Sequence, residues 1–553
     1  MKSLPLRLLG AMMLLSHHAM GDALPGPEKA IPNAVSALSA PPSLAGVPES
    51  IATAVSTASE SAQSHVKCGL SHLHFGWEFE ACRHFAAAIR EDPECMIAHW
   101  GMVMALLEPT PETFANRNAA AERMMSLIES GVGTPLERDY AYALLKHLAE
   151  GPLASADAFR KIVGHFPNDM QAGVLTALFT RSGYDIMGEP TPDQESAEKM
   201  LRDWMYKSPG NPVPLNALLI IRAEAPKLDD TLPYARALCA THPDYAPFQY
   251  LLGLYEWRCG NHEKALDAFT KAASLFEKWM QENKITLADC PEWLDAMNYR
   301  IVTLNSMGRR QEAFEEALKL SETPLPTDRP SSPGIQTFWW ETKTLPARLA
   351  LDSGIIPNSV PREKLLPAAT FTKELMKQTL AHWWINGLRI TLEAHRQIEA
   401  GEIDQARNTI NALTQYGEMM TNSQKTAIES GERSEWNRAF RALELLTAEA
   451  RGRLAFAGPK DGRNLAYNWF NAASDRQTQT PMMKPPMVLT PMAGQLGEYF
   501  IACDQPAEAV EAFEKALAAF PNDSRLLERL RSARNKQSKP ATPASDPAKQ
   551  PGR

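Results

Sequence analysis

The sequence predicts an all-α protein, a solenoid of stacked antiparallel helix hairpins. Three observations carry this. A set of small and aromatic residues recurs at one internal spacing. No run of alternating apolar and polar residues marks a strand. At 553 residues the chain exceeds one ordinary hydrophobic core, which fits several domains or one long repeat array.

The spacing is clearest where Gly69 is followed by Ala81, Phe85, Ala88 and Pro93. The same set returns at Gly497, Ala509, Phe513, Ala516 and Pro521. It returns again at Gly253, Ala265, Phe269 and Ala272, with Glu277 in the proline's place. A fainter copy, Ala466, Phe470 and Ala473, lacks the leading glycine. The spacing has a mechanical reason. Gly69 leaves room where one helix crosses another, and Ala81 is the small residue facing it. Phe85 and Ala88 lie on the same face as Ala81 and plug the next layer. Pro93 ends the second helix, because proline cannot donate inside a helix but fits a first turn. Each unit is a helix pair of about 34 residues that cannot bury its own apolar face and must stack on a neighbour.

This pattern resembles the tetratricopeptide repeat. The first copy, with its PECMIAHWGMVMAL continuation, is also similar to exported bacterial tetratricopeptide proteins of undefined activity. The resemblance implies a right-handed superhelix in which the first helix of each pair lines a concave groove. It implies a scaffold that holds a protein or peptide and does not name the partner.

Taken in order, residues 1–21 carry the three parts of a signal peptide: Lys2 and Arg7, an apolar core from Leu8 to Leu15, and Ala19-Met20-Gly21 as cleavage site. This predicts an exported protein, periplasmic or extracellular. No segment is long and apolar enough to predict a membrane span. Residues 22–60, rich in Pro, Ala and Ser, are expected to be a flexible linker. Helix pairs are expected over 61–325. SETPLPTDRPSSPG has four prolines in fourteen residues and suggests a kink or weak boundary near 322–335. A second array is expected over 336–535, ending in a polar-faced capping helix in DSRLLERLRSARNK. In it, PMMKPPMVLTP is expected to be a loop. The tail 536–553 is disordered by composition. Roughly eight hairpins are expected in all.

The net charge of −8 is spread without blocks and provides no phosphate-tracking surface, so nucleic acid is not an expected partner. None of the G-x-S-x-G, G-x-x-x-x-G-K-[ST], G-x-G-x-x-G, H-E-x-x-H or Cys-x-x-Cys-His motifs occurs, so no enzyme activity and no cofactor are expected, and an enzyme with a scattered site stands as the third reading. The seven cysteines include no Cys-x-x-Cys pair and are expected as apolar fillers. The pairs Trp339, Trp340 and Trp383, Trp384 are expected in the core.

Two candidate sites remain. With packing positions removed, the central repeat leaves Tyr250, Leu254, Trp257 and Arg258 on one helix face, types that dominate contact energies. The corresponding residues of the first repeat are Val66, Leu70, Leu73 and His74. These eight are the expected partner-binding positions, unless a neighbouring segment such as 22–60 covers them. The alternative is a zinc or copper site. His65, Cys68 and His72 share a helix face near His74, and Met482, Met483, Met487 and Met492 cluster around a Pro-rich loop that could take Cu(I). Core packing is the expected role for both sets.

Overall fold

The computed structural model describes residues 26–32, 35–51, 55–185, 188–353, 362–458, 463–477 and 483–538. Among them the regular structure is helical, with one isolated antiparallel bridge, Tyr184 to Pro190, and no strand. Seven hairpins follow one another from Glu60–His74 with Glu78–Glu91 to Pro291–Ser306 with Arg310–Ser321. Three more run from Ala381–Glu399 with Ile403–Asn422 to Met492–Ala502 with Pro506–Ala519, and Ser524–Gln537 caps the array. Local chemistry sets the helix starts. Proline occupies the first turn of Pro135–Glu150, Pro192–Lys207, Pro291–Ser306 and Pro506–Ala519. Thr134 and Glu137 form a reciprocal capping box. The signal-peptide reading, 1–21, and residues 539–553 of the expected tail lie outside the described residues.

The recurring glycines sit at equivalent crossings. A Cβ placed on Gly69 would lie 2.8 Å from the Phe85 ring, on Gly253 2.6 Å from Phe269, and on Gly497 2.7 Å from Phe513. Ala81, Ala88, Ala265, Ala272, Ala509 and Ala516 are buried beside them. The fourth copy has its glycine after all. A Cβ on Gly452 would meet Phe470 at 2.8 Å. The connection 458–462 is two residues longer than those after Glu60–His74, Ala246–Arg258 and Met492–Ala502, so the spacing hides it.

The hairpin turn has its own signature. Gly76 and Gly260 both have φ of 74°, and the matching position in the last repeat is Asp504 at φ 59°. A side chain there is strained, and glycine is not. Asp504→Gly is expected to raise the unfolding free energy by about 0.5 kcal/mol, strain relief of about 1 kcal/mol offset by the added freedom of the unfolded chain. Urea unfolding measures this, and a loss of stability would contradict the assignment.

The expected linker 22–60 is corrected over its described part. Ala30, Ile31, Val35 and Leu38 are buried in one cluster with Val66, Phe85 and Ile89 of the first hairpin. Asn116 donates to the Lys29 and Ile31 carbonyls, at 2.9 and 3.0 Å. The few apolar residues of this stretch have no helical period, so composition alone reads as unstructured; they dock on the first hairpin. The boundary near 322–335 is also not a division between cores, because one cluster runs from Phe75 to Met492 across it. Arg329, in that loop, bridges Glu112 at 2.9 Å and Asp289 at 2.8 Å.

The superhelix coils back on itself. Tyr245 reaches His72, and Asn216 donates to the His74 carbonyl at 2.8 Å. At the other end Asn522 donates to the Gly260 carbonyl at 3.1 Å, and Arg525 pairs with Asp352 at 2.9 Å.

Candidate functional site

The inner helix faces are occupied by the chain itself. Between the hairpins ending at Arg476 and beginning at Met492, the non-helical segment 483–491 runs across helices far from it in sequence. Five successive backbone carbonyls are each met by a side-chain donor. Tyr250 Oη donates to Met483 at 2.8 Å and Tyr299 Oη to Lys484 at 2.9 Å. Arg438 Nη2 donates to Pro485 at 2.7 Å, Arg348 Nη2 to Pro486, and Arg348 Nε to Met487 at 3.0 Å. Farther on, Gln477 donates to the Thr490 carbonyl at 2.9 Å. Pro485, Pro486, Met487, Val488 and Leu489 are buried. Two prolines in a row cannot form helix and leave the carbonyls free to accept from outside.

The donors are held by a buried charge cluster. Glu341 is fully buried and pairs with Arg348 Nη1 at 3.0 Å and with Arg438 Nη1. It sits in a π-helical turn, Phe338–Thr342, which displaces it from an α-helical register. Burial works to raise the Glu341 pKa, but Arg438, Arg348 and Lys484 outweigh it and hold the carboxyl below its usual range. Burial works to lower Lys484; Glu435, 2.9 Å away, and Asp295 raise it above its ordinary value. Burial pushes the Asp295 carboxyl up to about 7.

This arrangement corrects the expected partner-binding stripe. Tyr250 and Trp257 are only 8% and 7% exposed, and Leu254 is fully buried. Arg258 donates to the Ala225 carbonyl at 3.0 Å. Val66 and Leu70 are buried, Leu73 is half-buried, and His74 is buried with Nε2 at 3.5 Å from Gln171. Inner faces pack on one another and on 483–491. Sequence reasoning found Tyr250 but missed Tyr299, Arg348, Arg438 and Glu341, which lie on four separate elements with no shared motif. The signal that was present is the Pro-Pro pair flanked by Met, Val and Leu, too apolar for an exposed loop.

The histidine set is partly brought together. His65 and His72 converge with His84 and Glu80, while Cys68 Sγ lies 4.0 Å from the Leu44 carbonyl and His74 turns to Gln171. His65 Nδ1 is 3.1 Å from His84 Nδ1, and His72 Nδ1 is 2.9 Å from Tyr245 Oη. Burial pushes His72 down to about 3 and His84 down to about 2, so both rings are neutral. Of the methionines, Met487 and Met492 are buried in the large core, Met483 is exposed, and Met482 lies outside the described residues. Trp339, Trp340 and Trp384 are buried, and Trp383 is half-buried against Tyr416. The seven cysteines are unpaired thiols.

The chain is similar to yeast Tom70, at 10% identity over 87% of this chain and 89% of that one, with a TM-score of 0.25. It is similar to the human IFIT1 dimer with m7Gppp-AAAA, at 12% identity over 96% and 100%, with a TM-score of 0.28. Likeness at that level assigns no role to any residue. No curated protein matches the sequence significantly. The tetratricopeptide repeat profile matches residues 246–278, the central hairpin with Gly253 and Phe269 at its crossing. The matched hairpin is a tetratricopeptide repeat, and its crossing recurs at Gly69, Gly452 and Gly497.

Proposed function

We propose that the protein is an interaction scaffold whose inner face captures an extended, proline-containing peptide by its backbone carbonyls, with residues 483–491 as the internal occupant of that site. The carrying observation is the row of five carbonyls met by Tyr250, Tyr299, Arg438 and Arg348. Side-chain donors aimed at carbonyls read an extended backbone independently of its side chains, and the buried Met487, Val488 and Leu489 add apolar selectivity. A protein or peptide partner fits these donors, and the reading assigns no catalytic step. The charged start and apolar run from Lys2 to Leu15 support action after export, in the periplasm or outside the cell.

The test replaces residues 483–490 by a Gly-Ser linker of equal length and adds a fluorescent peptide spanning 483–491. Saturable binding is expected by anisotropy in the replaced protein and is expected to be much weaker in the intact one. Tyr250→Phe with Tyr299→Phe removes two donors, about 2 kcal/mol together, and is expected to weaken the peptide roughly 30-fold. Absence of saturable binding in a replaced protein with unchanged helical circular dichroism would refute the reading.

A further inference from the structure

We infer that His72, Glu80 and His84 form a buried binding site for a divalent transition metal, with two imidazoles and one carboxylate as ligands. His72 comes from the first helix of the first hairpin; Glu80 and His84 come from the second, one turn apart on one face. Each offers a donor atom, and the three atoms lie within 4.8 Å of one another. All three residues are buried, His84 completely.

The surroundings orient the rings as ligands. His84 Nδ1 is engaged by His65 Nδ1, and His72 Nδ1 by Tyr245 Oη. That leaves the two Nε2 atoms as the nitrogens available to an ion. His84 Nε2 is buried with no hydrogen-bond partner, a costly state that a bound ion would relieve. An imidazole held at one nitrogen by a second group, with its other nitrogen on the metal, is the usual outer-shell arrangement. Glu80 is steered in the same way. Its Oε2 is held by Arg83 at 2.7 Å, and Arg83 is itself anchored on Asn283 Oδ1 at 3.1 Å, with Trp279 also facing the carboxylate. Imidazole and carboxylate without thiolate suit zinc, cobalt, nickel or iron in the divalent state. Metal–nitrogen distances of about 2.0–2.1 Å require the donors to close by roughly an ångström, a rotation of the rings and not of the helices. Three protein ligands leave a position open for water or an exogenous group.

Tag-free protein, stripped with a chelator and dialysed, is titrated with Co2+ alone, followed by its visible ligand-field absorption and by elemental analysis after desalting. One tightly held Co2+ per chain is expected, with quenching of tryptophan fluorescence, because Trp77 lies 5.4 Å from His72 and 4.9 Å from Trp279 between ring centroids. His84→Gln and Glu80→Gln are expected to abolish stoichiometric binding. Tyr245→Phe, which keeps the fold's apolar contacts, is expected to weaken Co2+ about 10–100-fold by freeing the His72 ring. Cobalt lost on desalting from the wild-type protein, or one Co2+ per chain retained by His84→Gln, would overturn the assignment.

Discussion

Replacing Glu341 by glutamine is expected to lower the unfolding free energy by about 3–5 kcal/mol, the cost of leaving buried charge uncompensated. The shape is kept and one charge is lost. Arg348, its side chain 1% exposed, then has no counter-charge at bonding distance among the described residues, and Arg438 keeps only the attraction of Glu435. The two guanidiniums repel in a medium of low polarity. The effect reaches the internal peptide, because the same arginines hold the carbonyls of Pro485, Pro486 and Met487. Amide exchange at Val488 and Leu489 is therefore expected to accelerate along with the global loss. Urea unfolding gives the magnitude. A change under 1 kcal/mol would mean that the cluster does not govern the seating of 483–491.

Phe269→Ala is expected to cost about 3–5 kcal/mol, a transfer loss plus the void left behind. Phe269 is completely buried, its ring edge fits the space above Gly253, and it stacks on Tyr299 at 5.0 Å between centroids and 9° between planes. Gly253 has no side chain to refill the gap, so collapse is limited. Tyr299 also loses its platform while donating to Lys484. The same change at Phe513 removes an equivalent plug from a smaller cluster at the end of the array. It is expected to cost less, because fewer layers depend on it. Calorimetric unfolding of the two variants distinguishes them, and equal losses would contradict this ranking.

Hairpin geometry was legible because it is local. Gly69, Phe85 and Ala88 belong to one pair of adjacent helices, and their spacing states the contact directly. Gly452 escaped because two extra connecting residues shifted it relative to Phe470. The occupied inner face was not legible at all. Tyr250 and Met483 are 233 residues apart, and nothing in either neighbourhood announces the other. An aromatic stripe on a first helix looks the same in sequence whether a partner or the chain itself will cover it. The early segment failed for a related reason. Ile31 and Val35 are buried one at a time on the first hairpin, which leaves no period to detect.

The contacts of Asn522 with Gly260 and of Arg525 with Asp352 give the coil a clasp. A plain repeat array frays from its ends, each unit answering only to its neighbours. Here the final turn is fastened to the middle of the chain, so peeling away the last repeat also unlocks the centre. Access to its interior is thereby coupled to release of the last repeat.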